Sequence, residues 1–170
     1  METQPAALDV AVPMQGLLEH WQGHRRLTRR LIEAYPEDQL FTFSVGGMRT
    51  FGQLALEMLG MAVPMLREIV GEGAQRPTHH QPGSGDAIVR SETPRQELLW
   101  QWDESTSQIE ELWARIPPGR LQETITAFGQ YTAVAYTQLL YVIDNEVHHR
   151  GQGYVYLRAL GVAPPAFYER

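Results

Sequence analysis

Apolar residues recur along this chain every three to four positions, and four long stretches carry that pattern. From Met14 to Tyr35, the residues Leu17, Leu18, Trp21, Leu27, Leu31 and Ile32 fall at helical spacing, and Pro36 ends the run. A second stretch opens at "RTFGQLAL", where Thr50 can cap a helix and Gln53, three residues on, completes a capping box. At about 100° per residue, Phe51, Leu54, Ala55, Met58, Met61, Ala62, Met65, Leu66 and Ile69 share one face, and Pro64 is expected to bend the helix. A third stretch begins at "TPRQELLW", with Thr93 as cap, Pro94 in the first helical position and Gln96 closing another capping box. Its stripe of Leu98, Leu99, Trp102, Ile109, Leu112 and Trp113 stops before Pro117-Pro118. The fourth runs from about Thr132 to Leu160. No segment alternates convincingly as a strand, so the expected fold is all-α, a single four-helix bundle over residues 1–170.

The connections predict the topology. "GEGAQRPTHHQPGSGDAIVRSE", between the second and third stretches, is far longer than the turns that join antiparallel neighbours. A helix of roughly 24 residues is about 36 Å long, whereas about 20 extended residues reach about 66 Å. The segment is long enough to run back along the bundle, so helices two and three are expected parallel, in up-down-down-up order.

Composition narrows the function. With 170 residues, 43% hydrophobic and 20% charged, the chain is long and apolar enough to bury one globular core. Its net charge is −6 and its 14 basic residues are all Arg. Binding to phosphate backbones rests on clustered positive charge, so no nucleic-acid partner is expected. One basic cluster, "GHRRLTRR" (Gly23 to Arg30), is helical and faced by acids. Cysteine is absent, which excludes disulfides, thiolate metal sites and a cysteine nucleophile. No secretory pattern opens the chain. The longest apolar run, "YTAVAYTQLLYVI", falls short of the ~20 residues a membrane helix needs. A cytoplasmic protein with no membrane partner is expected.

The fourth helix carries the candidate chemistry, in "DNEVHHRGQGYVYLRALG". Helical projection puts Tyr136, Leu139, Leu140, Ile143, Val147, Gly151, Tyr154 and Leu157 on one apolar side. It gathers Gln138, Tyr141, Asn145, His148, His149, Gln152 and Tyr156 opposite. The histidines are therefore expected on a polar stripe, facing a groove, a partner or water. Asn145 and His149 stand four apart, so their side chains meet on adjacent turns, a spacing that lets two residues grip one ion. Arg150 is expected to pair with an acid of a neighbouring helix, and Gly151 to permit close helix approach.

The motif "NEVHHRGQGYVYLRALGVAPP" resembles the signature of the DinB-like (DNA-damage-inducible, YfiT-related) family of four-helix-bundle metalloproteins. "RTFGQLALEMLG" is similar to that family's second-helix motif, and helix order, loop lengths and the "PPAFYER" tail fit as well. The family is unrelated to the DNA polymerase that shares the name. The resemblance implies a divalent ion, nickel or zinc, held by three histidines, one on the second helix and two four apart on the fourth. It also implies a homodimer, and in some members transfer of a low-molecular-weight thiol. Carried over position by position, the metal residues are Glu57, Asn145 and His149, of which His149 keeps the family's residue type. Oxygen donors shift preference toward harder ions, adding manganese to the expected metals. His148 and Tyr141 are then the neighbouring proton carriers.

Other residues take simpler readings. Glu57 also reads as a solvated carboxylate on the rim of an amphipathic helix, and His148-His149 as part of an interface stripe. His79-His80 fall in the long loop, where ordering around an ion costs much entropy. His20 and His24, four apart on the first helix, form an alternative ion-binding pair. Met58, Met61 and Met65 read as plastic core. Two functions follow: a metal-dependent, stress-associated protein, with thiol transfer among its reactions, or a non-catalytic dimeric stress protein whose metal site has been lost.

Overall fold

The structure, a computed structural model, describes residues 12–73 and 92–170. His79-His80 and most of the long connection lie outside the described residues. Four helices dominate: α1 (Met14–Ala34), α2 (Phe51–Val70), α3 (Pro94–Trp113) and α4 (Ala135–Ala159). Their starts follow local chemistry. At α2 the Thr50 side chain accepts from the Gln53 N–H while the Gln53 side chain accepts from the Thr50 N–H, a complete capping box. At α3, Thr93 accepts from Gln96 N–H, but the Gln96 side chain turns to the Glu92 N–H instead. Helix α2 runs through Pro64 without interruption and ends on Gly71 in the left-handed region (φ 86°).

The apolar faces meet in two clusters. One joins Trp21 of α1 to Ala62, Met65, Leu66 and Ile69 at the end of α2, Ile109 and Trp113 at the end of α3, and Leu139 and Ile143 near the start of α4. The other joins Leu31 and Tyr35 at the end of α1 to Phe51 and Leu54 at the start of α2, Leu98 at the start of α3, and Tyr156 and Leu157 late in α4. These contacts make α1 and α4 run one way and α2 and α3 the other. Helices α3 and α4 each pack on both α1 and α2, so α4 is enclosed on two sides.

The expectation of a wholly helical chain is corrected. Thr124–Ala127 (β1) and Tyr131–Val134 (β2) form an antiparallel hairpin, with Ala127 opposite Tyr131 and Thr124 opposite Val134. Helix α4 accordingly begins at Ala135 rather than Thr132. The turn takes two consecutive left-handed residues, Phe128 (φ 54°) and Gly129 (φ 71°), closed by Gln130 N–H donating to Ala127 O. Ile125 and Ala127 point into the first cluster while Thr124 and Thr126 face out. The buried Gln138 amide ties the hairpin to α4 by donating to Ile125 O at 3.0 Å and Tyr131 O at 3.1 Å.

Candidate functional site in the cleft between α2 and α4

The projected apolar side of α4 is also corrected. Tyr136, Leu140 and Val147 are exposed, and the buried face includes Gln138, Glu146, His149, Arg150 and Tyr156 beside Leu139, Val142 and Ile143. A helix enclosed by two neighbours buries polar side chains when each finds a partner, and hydrophobic periodicity does not register that. Gly151 is exposed with nothing near it. The close approach occurs at Gly153, where a Cβ would lie 2.5 Å from the Phe51 ring.

Toward α1, a buried network forms. Glu146 accepts from Thr28 Oγ1 at 2.7 Å and Trp21 Nε1 at 3.3 Å, with Arg25 Nη1 at 3.8 Å. Arg25, fully buried, stacks its guanidinium 3.5 Å from the Trp102 ring centre and donates to Trp102 O. Arg150 donates to His24 Nδ1 at 2.9 Å and to His24 O and Thr28 Oγ1 at 3.4 Å, so its hydrogen-bond partners on α1 include an imidazole and no acid. The contact at Nδ1 settles the tautomer of His24: its proton sits on Nε2, which donates to His20 Nε2 at 3.0 Å. The His20–His24 pair is thereby consumed in a hydrogen bond and presents no chelating pair of lone pairs.

Toward α2, the three residues implied by the resemblance come together. His149 Nε2 lies 3.1 Å from Glu57 Oε1, and Asn145 Nδ2 donates to the same oxygen at 3.3 Å. Glu57 is about a third exposed at the cleft mouth, whereas His149 is nearly buried. Arg49, from the loop before α2, forms an ion pair with the other carboxylate oxygen of Glu57. Burial alone would raise the Glu57 pKa, but hydrogen bonds from His149, Arg49 and Asn145 outweigh it and hold the carboxyl below its ordinary range. The second nitrogen of His149, Nδ1, lies 2.7 Å from Gln152 Oε1. Gln152 in turn reaches Met48 Sδ, and Tyr156 Oη donates to Arg49 O, so the 48–49 loop closes over the cleft. His148 is exposed, with its ring centre 5.1 Å from that of His149. Tyr141 is exposed as well. Arg49 carries no sequence signal of its own, whereas Gln152 falls on the projected polar stripe of α4. Arg49 is one of 14 arginines, and Gln152 was distinguishable as one helical turn beyond His149.

Both ring nitrogens of His149 face oxygen acceptors. A neutral imidazole has one N–H, so the second contact calls for another proton or a cation between nitrogen and carboxylate. Nearby, Asn145 Oδ1 is buried and has no hydrogen-bond partner. A carboxylate and an imidazole nitrogen therefore converge, with the Asn145 side chain beside them presenting its amide nitrogen to the carboxylate. With the amide turned over, its unpartnered oxygen would complete a donor set that fits a divalent ion of intermediate hardness. Gln152 holds the imidazole in the way an outer partner orients a metal-binding histidine. The Arg49 guanidinium competes for the same carboxylate. Among the described residues, no group of three or more His, Cys, Asp or Glu side chains gathers as metal ligands.

A helical bundle with a two-stranded hairpin and a polar cleft between its second and fourth helices is the class that fold and site define. The chain belongs to the DinB family, whose model it matches over residues 9–170. Its fold is similar to that of a DinB-like protein from Bacillus subtilis, with 19% identity and a TM-score of 0.69 over 91% of this chain and 99% of that one. A DinB-like protein from Bacillus cereus is similar to the same degree, at 19% identity and TM-score 0.70 over 91% and 97%. No curated protein matches the sequence. No described helix is long and apolar enough to cross a membrane.

Proposed function

We propose that this DinB-family chain holds a divalent ion, manganese, zinc or nickel, through Glu57, Asn145 and His149, in service of a metal-dependent reaction on a small molecule such as a thiol. The observation carrying this reading is the pair of oxygens facing the two nitrogens of His149, at 3.1 Å and 2.7 Å. When bound, the ion supplies Lewis-acid polarisation or thiolate stabilisation. The chain's own residues do the rest. Gln152 keeps Nδ1 protonated and Nε2 aimed at Glu57, and Arg49 screens the carboxylate until it is displaced. His148 and Tyr141 stand exposed on α4 as the residues that would pass a proton to the substrate. The reading includes a cytoplasmic, stress-associated homodimer. Its dimer face is the exposed edge of α4 at Tyr136, Leu140, Val147 and Val155.

A second reading draws on Arg49. Its guanidinium already neutralises Glu57, as expected of a site that has exchanged its ion for an internal cation and serves a non-catalytic, dimeric binding protein. One experiment separates the two. The protein is purified without chelator, its metal content is measured, and melting is followed with added nickel, zinc or manganese. The first reading expects stoichiometric metal and a raised Tm, both lost in Glu57→Ala and His149→Ala. Absence of metal and of any Tm shift in the wild type overturns it in favour of the second.

A further inference from the structure

The basic cluster of the first helix has no part in the α2–α4 cleft. Its outward arginines face a separate pocket of about 370 Å³, lined by Arg26, Arg29, Arg30, Glu169 and Arg170. Four guanidiniums in one concavity are unexpected in a chain of net charge −6. Local carboxylates account for two of them. Arg29 is held by Asp103, with Nε–Oδ1 at 2.6 Å, and by Glu33, and Arg30 reaches Glu169 at 3.4 Å. Arg26 and Arg170 have no ion pair among the described residues.

The chain is built to bring Arg170 there. Its Cβ would stand 3.2 Å from a Cβ at position 23, and glycine occupies that position, so the tail seats directly on α1. The ground behind the pocket is positive too. Arg25 is ion-paired to Glu146 at 3.8 Å, and its buried Nη1 has no hydrogen-bond partner, while buried Arg150 bonds only to the neutral groups of His24 and Thr28. His24 itself is neutral. Burial first, then the charges of Arg150, Arg170 and His20, push its pKa down to about 3.

We propose that this pocket is a binding site for a small phosphate-bearing anion, gripped chiefly by Arg26 and Arg170. Two uncompensated guanidiniums match a doubly charged oxyanion, and Arg presents paired donors in the fork that phosphate oxygens accept. The volume exceeds that of a single phosphate group and suits a phosphorylated small molecule or a pyrophosphate. The pocket's edges on an otherwise acidic surface disfavour a long polyanion, which would meet repulsion on either side.

The test uses the full chain, freed of metal, and inorganic pyrophosphate followed by calorimetry and amide chemical shifts at low ionic strength. The expected result is a saturable isotherm that weakens with added salt. Binding becomes about ten-fold weaker or more in Arg26→Ala/Arg170→Ala and is unchanged in Arg115→Ala, whose partner is Glu72 outside the pocket. Both pocket residues are exposed, so the double variant is expected to fold, and its melting curve verifies this. Absence of saturable binding, or equal binding by wild type and double variant, overturns the proposal. His149→Ala keeps pyrophosphate binding if the pocket is the site. Loss there assigns the anion to the cleft and also overturns it, so the two sites fail separately.

Discussion

His149 Nε2 lies 3.1 Å from Glu57 Oε1, across the contact between α4 and α2, while the other ring nitrogen lies 2.7 Å from Gln152 Oε1. An imidazole between two acceptors is short of one positive charge, and what supplies it decides what the cleft does.

If an ion supplies it, Gln152 is a positioning residue. Gln152→Leu is expected to weaken metal affinity about 10- to 100-fold without unfolding the protein. Arg49→Gln is expected to strengthen it, because a competing cation leaves the carboxylate. Metal titrations of both variants check the pair, and an unchanged affinity in each removes the geometric basis of the metal reading.

Glu146 is the sole carboxylate hydrogen-bonded or ion-paired within the buried α1–α4 network of described residues. Glu146→Ala leaves Arg25 buried without its counter-charge, and is expected to cost about 3–5 kcal/mol. Denaturant unfolding measures it. A loss below about 1 kcal/mol would mean that water solvates Arg25 in the folded state.

Gly153 faces Phe51 with room for a hydrogen only. Gly153→Ala is expected to destabilise by about 1–3 kcal/mol through overpacking, whereas Gly151→Ala, in open space on the same helix, is expected to stabilise by up to about 1 kcal/mol through helix propensity. Parallel melts of the two variants give opposite signs if the helix is oriented as described.

Acid should unfold the protein through His24. Its pKa is pushed down to about 3 in the folded protein, against an ordinary value near 6.5. The unfolded chain therefore binds the extra proton first, and stability falls as pH drops from about 6.5 toward 3. His24→Asn keeps an acceptor for Arg150 but cannot titrate, so the slope of stability against pH in this window is expected to flatten. Glu57 acts lower still: its depressed pKa adds stability above the ordinary carboxylate range that is lost as pH falls through the folded value.

The helices were legible because each announces itself locally. Thr50 and Gln53 bond each other three residues apart, and Pro94 and Gly71 start and stop helices through their own backbone preferences. The hairpin was also written in the chain, as β-branched Thr124, Ile125 and Thr126 on one side of Phe128-Gly129 and Tyr131, Thr132 and Val134 on the other. The apolar continuity into α4 masked it.

By itself the sequence determined the four helices, the Thr50–Gln53 capping box and the parallel placement of α2 and α3 that a long connection allows, and its family motif pointed to Glu57, Asn145 and His149, whose side chains meet. Those features depend on residues a few positions apart or on a pattern shared along the chain. Tertiary structure decided which side of α4 is buried, that His24 serves Arg150 rather than an ion, and that Arg49 and Gln152 bracket the cleft. Each of these is a pairing between residues far apart in sequence, and such pairings acquire their energy only once the helices have packed and water has left.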